Sequence, residues 1–307
     1  MERVRKKRSR PAGGPRKIFD KLPQIEGLSF GQTIGSGHFS EVFEGIYNSQ
    51  PVAIKLIERG SEKLISTEIQ ILNQLRGCPE IIQLLAVIND ITTVLVFEIV
   101  KPISFESFID QISPQSMRFV LRSLLEATQY AHKFGIVHRD IKFGNILIST
   151  DLKELKLIDW GCGTYISDEM SPKAGSRTVR SPEMLIGYKG YKFGGDSWAI
   201  GSFILFILCE GELPWKCRTS PLTLISLSKF FGSEKIKDIA SRNGIELDSE
   251  IVNELSELPI ESLSEKFSKR LFHLIEPDLM DLMNKLMEID YAHRLSIEEA
   301  LKHPYFH

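Results

Sequence analysis

Cysteine is scarce in this chain of 307 residues. The four present, Cys78, Cys162, Cys209 and Cys217, make no CxxC pair. That excludes a disulfide framework and points to a reducing compartment. Proline and glycine, at 14 and 22 residues, are few enough for a globular fold. There is also no long hydrophobic run. The most apolar segment, "FILFILC" at 203–209, is too short to span a bilayer and reads as a buried helix. No signal peptide is visible. What is present is a soluble composition, 42% hydrophobic and 25% charged. The length exceeds one ordinary core, so two lobes are expected.

The net charge of −2 is unevenly spread. Residues 1–17, "MERVRKKRSRPAGGPRK", carry eight basic residues and one acid, a charge of +7, and the remaining 290 carry −9. A basic stretch broken by Pro and Gly cannot bury a core, so residues 1–27 are expected to form a mobile arm; a nuclear address, an anion-binding arm and a solvated tail are the readings, the first and last ranking equally. Neither a membrane nor a direct nucleic-acid partner is expected, and the expected localisation is nucleus and cytoplasm.

From about 28 to 57, alternating apolar and polar residues predict three antiparallel strands, "LSFGQTIGSG", "EVFEGIY" and "VAIKLI". A helix follows at about 61–76, then strands in "IIQLLAVIND" and "TVLVFEIV". Beyond Lys101 the chain is mostly helical, with a long helix over 115–134 and short strands flanking 146–158. Strands first and helices afterwards predict an α+β fold with a strand-rich lobe, 28–100, and a helical lobe, 101–307.

Chemistry-bearing residues cluster in four places. "IGSGHFSEV", 34–42, is a glycine turn between strands, in which Gly35, Gly37 and Val42 fit a phosphate-cradling pattern while Ser40 stands at its third glycine. A plain hairpin is as good a reading, and a dinucleotide-binding unit is excluded because a strand follows. "VAIK" ends on Lys55, and Glu68 lies on the next helix, where the two charges could pair and hold the ammonium against a phosphate oxygen. "IVHRDIKFGNILI", 136–148, crowds His138, Arg139, Asp140, Lys142 and Asn145 into one link. There Asp140 suits a proton acceptor, Lys142 a phosphoryl neutraliser and Asn145 a ligand to a hard cation. Finally, "LKLIDWGCG", 155–163, runs from a strand into Asp159, where a turn carboxylate and a metal ligand compete as readings. Cys162 beside it reads as a small buried residue rather than a reactive thiol.

From about residue 28 to its end, the chain resembles the eukaryotic protein kinases. The motifs run in order: glycine loop, VAIK, helix Glu, HRD loop, "DWG" in place of DFG, and "SPE" at 181–183. The resemblance implies a bilobal kinase fold and an ATP- and Mg²⁺-dependent phosphotransferase, with use of GTP left open. It implies that Ile34, Gly35, Ser36, Gly37, His38, Phe39, Ser40, Glu41 and Val42 cover the nucleotide with Lys55 and Glu68, and that the backbone around Glu98 and Val100 meets adenine. Ala53 and Leu147 line the pocket by position. Asp159 and Asn145 are the implied metal ligands, with Trp160 packed behind, and Asp140 and Lys142 the implied catalytic pair. Asp196 would brace the catalytic loop, and Arg294 would pair with Glu183.

Lys142, two residues after Asp140, is similar to serine/threonine kinases. "GHFSEVFE", "LRGCPEII", "LVFE", "LIDWG" and "FGSEKIKDIASRNGIELD" resemble the catalytic (alpha) subunits of casein kinase II. That resemblance implies acceptors near acidic residues, constitutive activity, and substrate docking by Lys173, Arg177 and Arg180. It also implies a regulatory beta subunit completing a heterotetramer and meeting Phe43. Two stretches depart from the family. The lysine-rich run that begins its helix reads "GSEKLISTE" here, with Lys63 alone remaining and Glu62 added. "RKIFDKLPQIEG", 16–27, matches the family's N-terminal segment only loosely, through Arg16, Phe19 and Asp20. Thr164, Tyr165, Ser167, Ser171, Ser176 and Thr178 are all candidate phosphorylation sites. The alternatives are a kinase of the same group with proline-directed or other non-acidic specificity, and a pseudokinase scaffold.

Overall fold

The computed structural model describes residues 22–37, 40–58, 62–89, 92–255 and 259–307. The basic run 1–17, the candidate residues Arg16, Phe19 and Asp20, and the nucleotide candidates His38 and Phe39 lie outside them. The chain divides into two compact units, one of residues up to Ser61 with Leu84–Ile99 and one of Glu62–Gln83 with Val100–His307. The α+β class expected from the sequence holds, with a sheet in the first unit and mostly helices in the second.

The first unit is an antiparallel sheet. Its strands are β1 (Leu28–Ser36), β2 (Ser40–Tyr47), β3 (Gln50–Ile57), β4 (Leu84–Asn89) and β5 (Thr93–Glu98), in the spatial order β1-β2-β3-β5-β4. Asn48 and Ser49 join β2 to β3 with positive φ of 48° and 67°. A two-residue turn of that kind matches the twist of its strands and fixes the pairing of Tyr47 with Gln50. Alternation does the rest. Val52, Ile54 and Leu56 of β3 face Phe43, Val94 and Val96 in one core, and Phe30 meets the Phe43 ring edge-on at 5.6 Å. Phe43 is therefore a core residue, 7% exposed.

In the second unit, α1 (Glu62–Gln74) packs on a 3-10 turn over Trp160–Cys162. By its contacts the whole segment 62–83 groups with the helical unit. Next come α2 (Phe105–Gln111) and α3 (Pro114–Lys133), the latter begun by a capping box between Ser113 and Ser116 with Pro114 at its first position. Two small ribbons follow, β6 (Ile136–Val137) with β9 (Thr164–Tyr165), and β7 (Ile146–Ile148) with β8 (Leu155–Leu157). The remaining helices are α4 (Pro182–Leu185), α5 (Gly194–Leu208), α6 (Ser220–Phe231), α7 (Ser233–Arg242), α8 (Ser249–Leu255), α9 (Pro277–Leu286) and α10 (Ile297–Leu301).

Helix α5 contains the apolar run at 203–208 and is buried on nearly every face, as a helix without a polar side must be. It packs on α3 and α9, and a methyl group at Gly201 would lie only 2.4 Å from Met287 Cγ. Among the described residues no helix is long and apolar enough to cross a membrane.

A buried ion pair closes the unit. Arg294 donates to both Glu183 carboxylate oxygens, at 2.7 and 2.8 Å, and to the carbonyls of Gly194, Glu288 and Ile289. Both side chains are at most 1% exposed. A desolvated pair is tolerated only when its remaining donors are satisfied, as they are here. Arg294→Ala strands the Glu183 carboxylate in the interior. The expected loss of unfolding free energy is about 3–5 kcal/mol. Urea denaturation measures it, and a loss no larger than that of an exposed ion pair would contradict this account.

Candidate active site

The link between β6 and β7 is organised by a residue distant in sequence. Asp196, in the first turn of α5, accepts hydrogen bonds from the backbone N–H groups of His138 and Arg139, both at 2.8 Å, and from His132 Nε2 at 3.0 Å. It is 1% exposed. Burial alone pushes a carboxyl pKa up. Here the His132 hydrogen bond and charge, with His138, outweigh burial and hold Asp196 below the usual carboxylate value.

The two N–H groups converge because Arg139 adopts a left-handed conformation, φ 67°. His138 is fixed as well. Its Nε2 lies 3.0 Å from the Ile158 carbonyl, which can only accept, so Nε2 carries the hydrogen. Nδ1 then accepts the Asp140 N–H at 3.2 Å. Arg139 Nε donates to the Cys162 carbonyl at 2.6 Å.

Asp140, 6% exposed, is gripped at both oxygens. Oδ1 accepts the Ser176 N–H at 2.7 Å, while Oδ2 accepts from Lys142 Nζ at 2.8 Å and Asn145 Nδ2 at 3.0 Å. Lys142 Nζ also donates to Ser176 Oγ at 2.6 Å. The structure thus brings the three expected residues Asp140, Lys142 and Asn145 together, and adds Ser176, for which the sequence offered only a phosphorylation reading.

Asn145 Nδ2 donates to the Asp140 carbonyl at 2.8 Å as well as to its carboxylate. Two acceptors on one side fix the amide orientation and leave Oδ1 as the atom available to a cation. Asp159 sits close in the fold, because the Ile158 N–H donates to the Asn145 carbonyl at 2.9 Å and β7 pairs with β8. Asp159 is itself left-handed, φ 59° and ψ 68°, and starts the 160–162 turn. A methyl group at Gly161 would lie 3.4 Å from Asp159 Oδ1 and 3.5 Å from Glu68 Oε2, so both carboxylates flank that glycine. Trp160 is buried with its ring 4.6 Å from that of His138.

Among the described residues no three His, Cys, Asp or Glu side chains form a metal cluster. One carboxylate and one amide oxygen do fit a hard cation such as Mg²⁺, which keeps several waters and takes the rest of its oxygens from substrate phosphates. Cys162 is half-buried, and its surroundings disfavour the thiolate. Burial, then the negative Asp140 and Asp159, push its thiol pKa up.

The docking candidates lie on one segment. Lys173 is exposed, while Arg177 and Arg180 are half-buried. Arg177 Nη1 donates to the Cys217 carbonyl at 3.1 Å. Arg180 spends Nε and Nη2 on the carbonyls of Lys173, Ala174 and Gly175. Carbonyls carry no net charge, so these bonds hold the guanidinium without neutralising it. Burial, then Arg177, press the Arg180 pKa down.

The nucleotide candidates divide between the units. In the first, Gly35 pairs with Val42, Val42 with Lys55, and Lys55 with Leu95, one cross-strand row on one face of the sheet. Ser36 pairs with Glu41, which is buried, and the Gly37 N–H donates to the Ser40 carbonyl at 2.7 Å. Ile34 is 49% exposed on β1, Ala53 shares the Lys55 face, and Glu98 ends β5. Glu68, Val100 and Leu147 belong to the second unit.

Over residues 28–306 the chain matches the family model described as the protein kinase domain.

Asp196 generates a pH-dependent prediction. Its native pKa is below its unfolded value, so the stability it contributes is fully present above the ordinary Asp value of 3.8 and is lost as pH falls through the native pKa. Asp196→Asn should therefore lower the melting midpoint most near neutral pH, with the gap to wild type closing on acidification. A gap that stays constant down to the lowest pH at which the wild type is folded would contradict it.

Proposed function

The chain belongs to the protein kinase family, a family of phosphotransferases, and on that premise we propose that it is a serine/threonine kinase similar to casein kinase II, carrying the γ-phosphoryl group of ATP to hydroxyls beside acidic residues. One observation carries this reading. Lys142 Nζ lies between Asp140 Oδ2, at 2.8 Å, and Ser176 Oγ, at 2.6 Å, two residues after the candidate base.

In this reading Asp140 orients the acceptor hydroxyl and takes its proton. Its other oxygen is occupied by the Ser176 N–H, so the carboxylate is already aimed. Lys142 places a positive charge where the transferring group becomes negative. Asp159 and Asn145 would hold Mg²⁺, which neutralises and orients the phosphates. By resemblance to the family, Lys55 would hold a phosphate oxygen.

Acidic acceptors are supported by the charges around the Asp140 loop. Lys173, Arg177 and Arg180 lie within eight residues of one segment, whose Ser176 N–H meets Asp140. Helix α1 keeps Lys63 but adds Glu62 in its first turn. An exposed pair is worth at most about 1 kcal/mol. We therefore expect the requirement for an acid directly after the target residue to persist, and the requirement for acids further downstream to weaken. A regulatory beta subunit and a nuclear and cytoplasmic distribution belong to the same proposal. The resemblance supports the first, and the basic run 1–17 the second.

The test is transfer from magnesium-ATP to four peptides: serine with an acid at +1 only, serine with acids through +3, a proline-directed peptide and a basic one. The acidic peptides should be preferred, with a modest gap between the two. Asp140→Ala should lose about 10²–10⁴-fold in turnover. Lys55→Met should lose most of its turnover while its melting midpoint stays near that of the wild type. Preference for the proline-directed or basic peptide would reject the casein kinase II-like specificity, and near-normal turnover by Asp140→Ala would reject the catalytic assignment.

A further inference from the structure

Tyr191 lies just before α5, outside every motif considered above. It is 1% exposed. Its ring packs with Val137, Met170 and Met184, flanked by Tyr188 and Phe193. Its hydroxyl donates to the Ser171 carbonyl at 2.6 Å and accepts from Arg139 Nη1 at 3.5 Å. Burial pushes its pKa up, so at neutral pH the hydroxyl is a donor. One buried atom thus connects the residue before Asp140 with the middle of the segment between Asp159 and α4.

That segment is fastened to residue 139 along its length. Cys162 is tied through its carbonyl to Arg139 Nε. Gly175, at φ +68°, passes so close that a methyl group there would lie 2.0 Å from the Arg139 carbonyl oxygen. Between these ends, the Met170 N–H donates to the Lys189 carbonyl at 2.9 Å, and Tyr191 holds Ser171. From Ser171 the chain turns through 173–175, whose carbonyls Arg180 caps, directly into Ser176. The Ser176 N–H then fixes Asp140 Oδ1 at 2.7 Å.

We infer that Tyr191 is a positioning residue for phosphoryl transfer: its hydroxyl ties Ser171 to Arg139 and thereby sets the Ser176 N–H that aims the Asp140 carboxylate. This rests on the kinase reading of Asp140. Because the ring supplies the packing and the oxygen supplies the link, Tyr191→Phe separates the two roles. A small displacement of a group that must meet an acceptor hydroxyl is costly to rate.

The experiment uses the full chain with magnesium-ATP and the acidic serine peptide, comparing wild type, Tyr191→Phe and the neighbouring control Tyr188→Phe. Three quantities are read: kcat, the KM for ATP, and amide hydrogen exchange over 167–176. Tyr191→Phe should lower kcat by about tenfold, leave the KM for ATP unchanged, and speed exchange across 167–176, with the melting midpoint nearly that of the wild type. Tyr188→Phe should match wild type in all three. An unchanged kcat in Tyr191→Phe overturns the inference. So does an equal loss in Tyr188→Phe, or a loss that follows a general fall in melting midpoint, because each marks loosened packing. If the wild type transfers phosphate to no peptide, the proposed function fails, and exchange over 167–176 still decides the link: unchanged protection in Tyr191→Phe overturns it.

Discussion

The loop that carries Asp140 depends on the carboxylate of Asp196. A loop with two consecutive N–H groups aimed at one point, and a left-handed arginine between a buried histidine and a buried aspartate, holds only if something accepts both hydrogens. Asp196 accepts them in the interior, and His132 supplies a third donor. The geometry downstream follows. With His138 and Arg139 fixed, His138 bonds the Ile158 carbonyl and the Asp140 N–H, and Arg139 reaches the carbonyl of Cys162. Asp140 then leaves the loop in one orientation, and Lys142, Asn145 and Ser176 close on it.

The same helix serves both buried acids. Helix α5 presents Asp196 from its first turn, where the helix dipole favours negative charge. Gly194, its first residue, offers the carbonyl that helps seat Arg294 against Glu183. A helix so apolar has no other way to hold charges than to satisfy every donor and acceptor that they bring. The segment 162–180 is held between these two points, by Arg139 near one end and by the Arg294-anchored Glu183 beyond the other. The hydrogen bonds that order it come from within the chain.

Much of this was legible in the sequence. The strands of the first unit came from alternation. Helix α3 came from its apolar spacing, within a residue at each end. The clustering of Asp140, Lys142 and Asn145 was signalled by the density of charge in "IVHRDIKFGNILI" between apolar runs. Ser176, Tyr191 and the use that Arg180 makes of its guanidinium were not legible, because each depends on contact between positions distant in the chain. A serine whose N–H meets an aspartate thirty-six residues away leaves no local pattern. The packing of α1 on the turn at Trp160–Cys162 was not legible for a similar reason, because the two stretches lie far apart in the chain.

The most direct test is the exchange of the His138 and Arg139 backbone amides in the intact protein at neutral pH. If Asp196 organises the loop, both should exchange only through global unfolding and be as protected as the buried amides of α5, although they lie in an irregular loop. Exchange by local opening, at rates typical of exposed loops while α5 stays protected, would show that the loop does not depend on Asp196.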